Sequence, residues 1–524
     1  MNEPEATQGP TAAGPAAPGP PGGGIGLASL ADRIAPDRVQ GLPVGEVRAL
    51  AYDSRRVEPG TLFFAVPGEH TDGHRFVGEA VESGALAVVV EHEQPDPGVP
   101  QLVVANTRHA LADAADLWFG EPSRALATIG ITGTNGKTTV TGLCAQLLSA
   151  ADRHPGLIGT VSLKVGDQLT DNLSRATTPE ALELQELLAR MVAAGNDCAV
   201  IETSSHGLAL GRVRNVRYRA AVVTNVTHEH LDFHGTFDAY RDAKTLLVQE
   251  APMAILNRDD PSFEVFRERS RDRVLSYGFH PLADVHAAEV ASSAAGSSVE
   301  VRAPGWTGRL EIPIPGAFNV ENGLAAFAFA VAWEIDPEVA RDALAVAHGV
   351  PGRMERVDLG QPFALVVDYA HTPDALEKVL EILRPITEGR LLVVVGSAGE
   401  RDLLKRAEMG RIAATLADGV IVTDEDPRGE DPDLINREIA RGALGAGAQE
   451  DANLWVVNDR RRAIGQAVSQ AMLGDTILLA GKGHEHSIVL ASGPVWWDEA
   501  EVARQALRAA GYGQDERDAK ATEA

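Results

Sequence analysis

A glycine-rich turn lies between an apolar segment and a helix-forming segment, and its residues are suited to holding phosphate groups. The turn consists of Gly133, Thr134, Asn135, Gly136, Lys137, Thr138 and Thr139. Backbone N–H groups in such a turn, and at the helix N-terminus after it, bind phosphate oxygens. Lysine neutralises the outer phosphates of a nucleotide, and a hydroxyl oxygen can ligate Mg²⁺. The turn therefore predicts a nucleotide site in which Lys137 and Thr138 have these roles.

The turn departs by one position from the strict phosphate-loop spacing. Ile131 stands five residues before Gly136, and the nearest glycines are Gly130 and Gly133. A turn with an exposed lysine is the plainer alternative. Even as a nucleotide site, the turn alone does not separate a kinase, an ATPase, a transporter subunit and a ligase, so residues elsewhere must choose among them.

Two further side chains are candidates for the same site. Glu202 ends an apolar, strand-forming segment, and a carboxylate at the carboxyl end of a strand can hold Mg²⁺ near phosphates. Lys244 lies at helical spacing from Tyr240 and Leu247, and spacing alone makes it a solvated surface lysine. Cys144 and Cys198 lack metal-ligand spacing, and we expect both to be buried apolar residues of a protein in the reducing cytosol.

Composition limits the class of partner. Lys and Arg total 47 against 74 Asp and Glu, a net charge of −27, which weighs against broad contact with nucleic acid or anionic lipid. The first residues contain no apolar h-region of a secretory signal, and no apolar run approaches the ~20 residues of a membrane span. We expect a cytoplasmic protein that binds small molecules, without nucleic acid or membrane partners, as a monomer.

The elements that position the candidate residues alternate between β-patterned and helix-length segments. This alternation favours an α/β fold with doubly wound, mostly parallel sheets. A chain of 524 residues also predicts several domains at ~100–200 residues each. A Gly/Pro-rich break at residues 349–353 marks one boundary. The predicted parts are a tail 1–26, a small α/β domain 27–124, a central domain 125–349, a third α/β domain 350–512 and a tail 513–524.

Eight segments, taken together and in order, resemble the Mur ligase family. They are GTNGKTT at 133–139, TTPE at 177–180, ETSSHGL at 202–208, TNVTHEHLDFHG at 224–235, GAFN at 316–319, GRMERV at 352–357, DYAHTPDAL at 368–376 and GKGHE at 481–485. The segment DSRRVEPGTLFFAVPGEHTDGHRF at 53–76 is similar to the branch that makes UDP-N-acetylmuramoyl tripeptide. The resemblance covers about residues 27–512. It implies an N-terminal uridine-binding domain, a central phosphate-loop ATPase domain and a C-terminal Rossmann-like domain.

The resemblance also implies roles for individual residues. The residues implied to contact ATP, besides the turn, are Asn319, Asn322, Arg353, Asp368 and His371. Those implied for the UDP substrate are Ser54, Arg55, Thr71, Asp72, Gly73, His74, Thr177, Thr178, Ser204 and Arg212. The implied metal site combines Thr138, Glu202, His230 and a carbamylated Lys244, with His228, Glu229 and His234 as weaker candidates. The implied catalytic residues are Lys137, Lys244, His230 and Arg353.

The reaction implied by the resemblance uses ATP and Mg²⁺. The carboxylate of UDP-N-acetylmuramoyl-L-alanyl-D-glutamate attacks the γ-phosphate, which gives ADP and an acyl phosphate, and the amine of an amino acid then displaces phosphate. Phosphoryl transfer depends on positioning and charge neutralisation, and Lys137, Mg²⁺ and Arg353 fit these tasks. Folylpolyglutamate synthase, which lacks the N-terminal uridine domain, and a non-catalytic regulator are the alternatives.

The identity of the added amino acid depends on one unusual segment. The residues implied to bind it are Arg401, Glu425, Asp426, Arg428, Gly481 and Glu485. Branch members that add meso-diaminopimelate carry Asp-Asn-Pro-Arg, where this chain has Glu-Asp-Pro-Arg at 425–428. The anionic Asp426 favours a distal ammonium, whereas Arg428 favours a distal carboxylate unless it pairs with Asp426. We expect diaminopimelate, with ornithine or lysine as the alternatives.

Overall fold

Continuous apolar runs of four to six residues form the central strands, because strands of parallel sheets are covered on both faces. The computed structural model describes residues 23–68, 71–172, 176–227, 229–293, 296–347, 349–400 and 403–513. The chain forms two compact units, of which the first is Met1–Asp284 with Ala328–Asp336 and the second is Val285–Phe327 with Pro337–Ala524. No helix of these described ranges is long and apolar enough to span a membrane.

The first unit contains two sheets of five or more strands with helices packed on them, and one two-stranded ladder. Its strands are β1 (Ile25–Gly26), β2 (Arg38–Gln40), β3 (Glu46–Val47), β4 (Ala49–Ala51), β5 (Thr61–Phe64), β6 (Ala87–Val90), β7 (Gln101–Val103), β8 (Ala127–Thr132), β9 (Pro155–Ile158), β10 (Ser162–Val165), β11 (Gln168–Asp171), β12 (Cys198–Glu202), β13 (Tyr218–Val223), β14 (Met253–Asn257) and β15 (Arg273–Gly278). Its helices are α1 (Leu27–Ile34), α2 (Val77–Glu82), α3 (Thr107–Trp118), α4 (Lys137–Ala150), α5 (Ala181–Ala193), α6 (Ser205–Ala209), α7 (Leu231–His234), α8 (Phe237–Glu250) and α9 (Phe263–Arg269).

Strand order in the first unit follows the doubly wound pattern. The smaller sheet has the order β2-β7-β6-β5-β4 and is parallel except at β2. In the larger sheet the strands have the order β11-β10-β9-β12-β8-β13-β14-β15. Each pair of neighbours from β9 to β15 in this order is parallel. β8 lies between β12 and β13, so the loop after β8 emerges beside the carboxyl ends of both. This is the edge at which doubly wound sheets bind ligands.

The second unit contains a mostly parallel sheet and antiparallel strands. Its strands are β16 (Val285–Ser293), β17 (Gly296–Ala303), β18 (Trp306–Ile312), β19 (Glu355–Arg356), β20 (Ala364–Asp368), β21 (Leu391–Val395), β22 (Gly419–Val422), β23 (Leu454–Val456), β24 (Thr476–Ala480), β25 (Ser487–Leu490) and β26 (Gly493–Trp496). The remaining helices of the chain are α10 (Ala317–Ala332), α11 (Pro337–Ala345), α12 (Pro373–Leu383), α13 (Leu404–Leu416), α14 (Pro432–Gly445), α15 (Arg460–Gln470) and α16 (Glu499–Ala509). Strand order in the parallel sheet is β19-β20-β24-β21-β22-β23.

Only the inner end of each predicted tail is among the described residues. Of the tail 1–26, residues 1–22 lie outside the described ranges, and Ile25–Gly26 pairs with Glu46–Val47 as a short antiparallel ladder. Of the tail 513–524, the structure describes Gly513, which packs near Leu359. Both cysteines are buried and free, as the sequence predicts.

Candidate nucleotide and substrate sites

The glycine-rich turn joins β8 directly to α4, which begins at Lys137. Gly136 adopts φ 82°, a left-handed conformation that glycine takes at no steric cost. A Cβ atom on Gly133 would lie 1.8 Å from Thr224 Oγ1 at the end of β13. The turn therefore fits against β13 only with glycine at position 133, and the N–H groups of the first turn of α4 face the edge of the sheet.

Hydrogen bonds fix the shape of the turn. The backbone N–H of Thr134 donates to Asn225 O at 2.7 Å, and that of Asn135 donates to Asn225 Oδ1 at 3.0 Å. Lys137 Nζ donates to the carbonyl oxygens of Gly133 at 3.2 Å and Thr134 at 2.7 Å. The ammonium group of Lys137 thus lies inside the curve of the turn, where phosphate oxygens would be bound.

Oxygen ligands suited to Mg²⁺ meet beside the turn. Glu202 is buried at the carboxyl end of β12, and Thr138 Oγ1 donates to its Oε1 at 3.0 Å. The backbone N–H of Thr160 donates to Oε2 of the same carboxylate at 2.8 Å. Carboxylate and hydroxyl oxygens are hard ligands that Mg²⁺ prefers. The structure therefore brings together Thr138 and Glu202, two of the predicted metal ligands.

Lys244 is buried, in contrast to the surface position that helical spacing alone suggests. It lies on α8 with its side chain 1 % exposed, and its Nζ donates to Gly133 O at 2.7 Å. The ammonium lies 4.4 Å from the centroid of the Tyr240 ring. Burial, together with the nearby charge of Lys137, lowers the pKa of Lys244 well below its usual value. The amine of Lys244 thus joins α8 to the glycine-rich turn.

Aromatic and imidazole rings surround His230. The His206 ring centroid lies 4.8 Å from that of His230, and the Tyr240 centroid lies 6.2 Å from it. Burial lowers the pKa of His234, which also contacts His206 and Tyr240. His228 lies outside the described residues. Among the residues that are described, no three His, Cys, Asp or Glu side chains converge on a metal position, so the predicted metal set as a whole stays a prediction.

Four residues predicted for the UDP substrate form one hydrogen-bonded group. Thr178 Oγ1 donates to Glu202 O at 2.9 Å and contacts Ser204 Oγ at 3.1 Å. Arg212 donates from Nη1 to Thr178 O at 3.0 Å. Thr177 joins through a hydrogen bond of 3.1 Å from Thr160 Oγ1, which connects this group to the metal-ligand candidate Glu202.

An arginine and a glutamate that the sequence analysis did not select extend this group to the smaller sheet. Glu180 forms an ion pair with Arg212 at 2.5 Å, and Arg108 on α3 donates to both carboxylate oxygens at 2.9 Å. The hydroxyl of Tyr52, which follows β4, donates to Glu183 Oε1 on α5 at 2.8 Å. This is a second contact between the smaller sheet and the start of α5. Glu180 is the last residue of the TTPE segment, so the motif contained the signal, but its partner Arg108 is 72 residues away.

The two N-terminal segments predicted for the UDP substrate are rigid turns. Asp53 accepts hydrogen bonds from the backbone and the guanidinium of Arg55, which lower its pKa, and Ser54 lies in the turn between them. Asp72 accepts from the backbone N–H and ring of His74 in the same way. Thr71 and Gly73 complete the second turn; a Cβ on Gly73 would lie 2.6 Å from Val66 N.

In the second unit, the residues predicted to contact ATP occur in two buried groups. Asn322 Nδ2 donates to Asn319 Oδ1 at 2.9 Å on α10, and Asn319 Nδ2 donates to Pro315 O at 2.7 Å. Asp368 ends β20, and its carboxylate accepts from the backbone N–H groups of Met354 and Ala370. Burial raises the pKa of Asp368.

Arg353 and His371 flank the second of these groups. The guanidinium of Arg353 lies 5.0 Å from the centroid of the Tyr369 ring, and His371 Nδ1 is 2.9 Å from Tyr369 O. Tyr369 thus holds both side chains at the carboxyl end of β20.

The segment 425–428 follows β22, and the carboxylate of its Asp426 pairs with a lysine. Lys482 Nζ is fully buried and donates to Asp426 Oδ1 at 2.8 Å and to Glu485 Oε2 at 2.6 Å. Arg428 Nε is buried and donates no hydrogen bond to the described residues, and the carboxylate of Asp426 pairs with Lys482 instead. The pairing of Arg428 with Asp426 that the sequence left open therefore does not occur.

Glu425, in the loop after β22, lies next to Gly481, which follows β24. Its carboxylate is buried, its Oε2 accepts no hydrogen bond from the described residues, and burial raises its pKa. A Cβ on Gly481 would lie 3.0 Å from that oxygen. Arg401, the remaining residue predicted for this site, lies outside the described residues.

Three family models match the chain in order. They are the Mur ligase family catalytic domain at residues 46–118, the Mur ligase middle domain at 131–330 and the Mur ligase glutamate ligase domain at 352–483. The chain belongs to the Mur ligase family. Members of the family are ATP-dependent ligases that form amide bonds, so this Mur ligase is an enzyme of that class.

Individual relatives match this Mur ligase along most of its length. The UDP-N-acetylmuramyl-tripeptide synthetase of Roseiflexus sp. (strain RS-1) is 45 % identical over 89 % of this chain and 96 % of its own. The UDP-N-acetylmuramoyl-L-alanyl-D-glutamate–2,6-diaminopimelate ligase of Bacillus velezensis is 41 % identical over 88 % of this chain and 94 % of its own. A solved structure with the same ligase name is 31 % identical, with a TM-score of 0.70, and covers 93 % of this chain and 100 % of its own. The predicted three-domain α/β architecture is confirmed.

Proposed function

We propose that this Mur ligase adds meso-diaminopimelate to UDP-N-acetylmuramoyl-L-alanyl-D-glutamate during cell-wall synthesis. The observation that carries the proposal is the similarity, over nearly the whole chain, to relatives named for this ligation. The enzyme would act as a monomer in the cytoplasm, with domains at 27–124, 125–349 and 350–512. Its net charge of −27 disfavours polyanionic partners.

The reaction has two steps with no protein nucleophile. A carboxylate oxygen of the acceptor bonds to the γ-phosphorus of ATP, and the bond from that phosphorus to ADP breaks. The amine nitrogen of the amino acid then bonds to the acyl carbon, phosphate leaves, and the amine loses a proton. Lys137 and Arg353 would neutralise the charge that moves between phosphates, which is the main task in phosphoryl transfer.

The donor set beside the turn fits Mg²⁺. Thr138 and Glu202 present a hydroxyl and a carboxylate within 3.0 Å of each other, and His230 with carbamylated Lys244 would complete the protein ligands. When bound, the ion would neutralise phosphate oxygens of ATP. Ser54, Arg55, Thr177, Thr178, Ser204 and Arg212 would bind the UDP substrate.

The surroundings of Arg428 support diaminopimelate over ornithine and lysine. Asp426 already has a cationic partner within the protein, since Lys482 pairs with it and with Glu485. Arg428 Nε is buried without a hydrogen-bond partner among the described residues, and we infer that the guanidinium pairs with the distal carboxylate of the substrate. Ornithine and lysine lack that carboxylate.

The substitution Lys137→Ala tests the proposed ATP chemistry. We expect ADP formation in the presence of all three substrates to fall by about 100-fold or more, because removing one preorganised charge from a transition state costs this much. The thermal unfolding temperature should stay near that of the wild type. Lys378→Ala on the exposed face of α12 is the matched control and should retain activity; undiminished turnover in Lys137→Ala would contradict the role of Lys137.

A further inference from the structure

Two loops predicted to bind the amino acid follow neighbouring parallel strands and touch through their backbones. The loop after β21 contains Gly399, and the loop after β22 contains Asp426 to Arg428. Gly399 N–H donates to Asp426 O at 2.8 Å. A Cβ on Gly399 would lie 2.1 Å from Pro427 O. The close approach therefore requires glycine and leaves each loop dependent on the other for its position.

Glu430 ties both loops to helix α13. It stands two residues after Arg428, and one of its carboxylate oxygens accepts a hydrogen bond from the backbone N–H of Glu400. Arg406 on α13 donates from Nη2 to both oxygens of Glu430, at 3.1 and 2.9 Å. One carboxylate thus connects the loop of Arg428, the loop of Glu400 and a helix of the second unit.

Arg406 is fully buried and binds a second carboxylate that is outside the loops. Its Nη1 donates at 2.9 Å to Glu438 on α14. Glu430 and Glu438 have similar exposure, 25 % and 26 %. The same guanidinium therefore pairs with two carboxylates of similar exposure, with two hydrogen bonds to Glu430 and one to Glu438, and only Glu430 belongs to the loops.

The backbone of each loop adopts a conformation that needs such support. Arg428 has φ 54° and Glu400 has φ 55°, the left-handed region that residues other than glycine rarely occupy. Such residues are costly and persist where the surroundings fix them. The N–H of Arg428 donates to Val489 O at 2.8 Å, which fixes one side of the loop, and the Arg406–Glu430 pair fixes the other.

We propose that the Arg406–Glu430 ion pair positions Arg428 and thereby sets the selectivity of the enzyme for the added amino acid. Arg406 and Glu430 are positioning residues, since they act through the loop of Arg428. This inference rests on the proposed function, which assigns residues 425–428 to the amino-acid site. Without the pair, the Arg428 loop leaves its strained conformation, and the guanidinium no longer meets the distal carboxylate in one fixed geometry.

The experiment compares Glu430→Ala with Glu438→Ala, because each removes one carboxylate from the same buried guanidinium. For Glu430→Ala we expect KM for diaminopimelate to rise about tenfold, the loss of roughly one charge-assisted hydrogen bond. Its preference for diaminopimelate over lysine and ornithine should fall by a similar factor, while kcat and KM for ATP and the UDP acceptor stay near wild type. Glu438→Ala should keep KM and preference unchanged while losing similar thermal stability.

Equal KM and equal preference in the two variants would overturn the inference, since a purely structural pair affects both alike. If Glu430→Ala does not fold, Glu430→Gln replaces it, and unchanged preference in that variant also overturns the inference. If the wild type accepts ornithine or lysine instead of diaminopimelate, the proposed amino acid is wrong. That outcome is seen in the wild type alone, and it is therefore distinct from a wild type that uses diaminopimelate together with two variants that behave alike.

Discussion

Lys244 illustrates how the surroundings of a single residue change its chemistry. Its amine is buried, donates to Gly133 O at 2.7 Å and has a pKa well below the usual value because of burial. A neutral amine is the form that reacts with CO₂, and the carbamate formed is an anion with oxygen ligands. The lowered pKa of this amine supports our proposal that Lys244 is carbamylated and binds the metal.

We predict that ligase activity depends on CO₂ through Lys244. Removal of CO₂ and bicarbonate from the wild-type enzyme should lower phosphate release, and added bicarbonate should restore it. Isotope-labelled bicarbonate should label the wild-type protein and leave Lys244→Arg unlabelled. Full activity of Lys244→Arg would contradict this role.

Helical spacing did not predict the burial of Lys244, although the family resemblance placed it among the metal ligands. Helical spacing identifies which residues share a face of α8, but it does not say that the phosphate turn covers that face. The same limit applies to Asp426, whose partner Lys482 lies 56 residues later in the chain.

The glycine-rich turn at residues 133–139 is the element that we propose to bind the phosphates of ATP. Its position against β13 depends on Gly133, because a Cβ there would collide with Thr224 Oγ1. The turn also accepts the hydrogen bond from Lys244, so a displacement would affect α8 as well.

We predict that Gly133→Ala raises KM for ATP by about tenfold or more, because the N–H groups of the turn would no longer converge on phosphate. Steady-state phosphate release at varied ATP measures this effect. Gly465→Ala is the control: nothing lies within 4 Å of a Cβ there, on helix α15. It should leave KM unchanged and stabilise the fold by roughly 0.5–1 kcal/mol; an equal KM in both variants would contradict the prediction.

Buried parallel strands are the elements that the sequence predicts well. The apolar runs Ala364–Asp368, Gly419–Val422 and Thr476–Ala480 each predict a strand, and the structure has strands over the same residues, because both faces of these strands are covered. The antiparallel strands between 285 and 312 were not predicted. Polar residues occur at many of their exposed positions, so the apolar signal is interrupted.

At the scale of the whole molecule, the smaller sheet of the first unit is joined to the substrate residues by Glu180. Arg108 on α3 and Arg212 bind the same carboxylate, and Arg212 also holds Thr178. Sequence patterns show neither contact, since Arg108 meets Glu180 through the packing of α3 against α5 and Arg212 follows α6, far along the chain. The UDP-substrate group therefore depends on elements from both sheets.

We predict that Arg108→Ala raises KM for the UDP acceptor several-fold while KM for ATP stays unchanged, because Glu180 then pairs with Arg212 alone and holds it less firmly. Initial rates at varied acceptor measure the effect. Arg38→Ala is the matched control, since it breaks an exposed pair with Glu93 within the smaller sheet, and exposed pairs contribute little. The same rise in both variants would refute the positioning role of Arg108.

The most direct test of the central claim is the mass of the product formed from UDP-N-acetylmuramoyl-L-alanyl-D-glutamate, ATP and Mg²⁺ with diaminopimelate, ornithine or lysine supplied in turn. We predict one acceptor-dependent product, larger than the acceptor by one diaminopimelate residue, formed together with ADP and phosphate. Product with ornithine or lysine and none with diaminopimelate would contradict the assignment of Arg428, and no product from the acceptor with any of the three would contradict the proposed function.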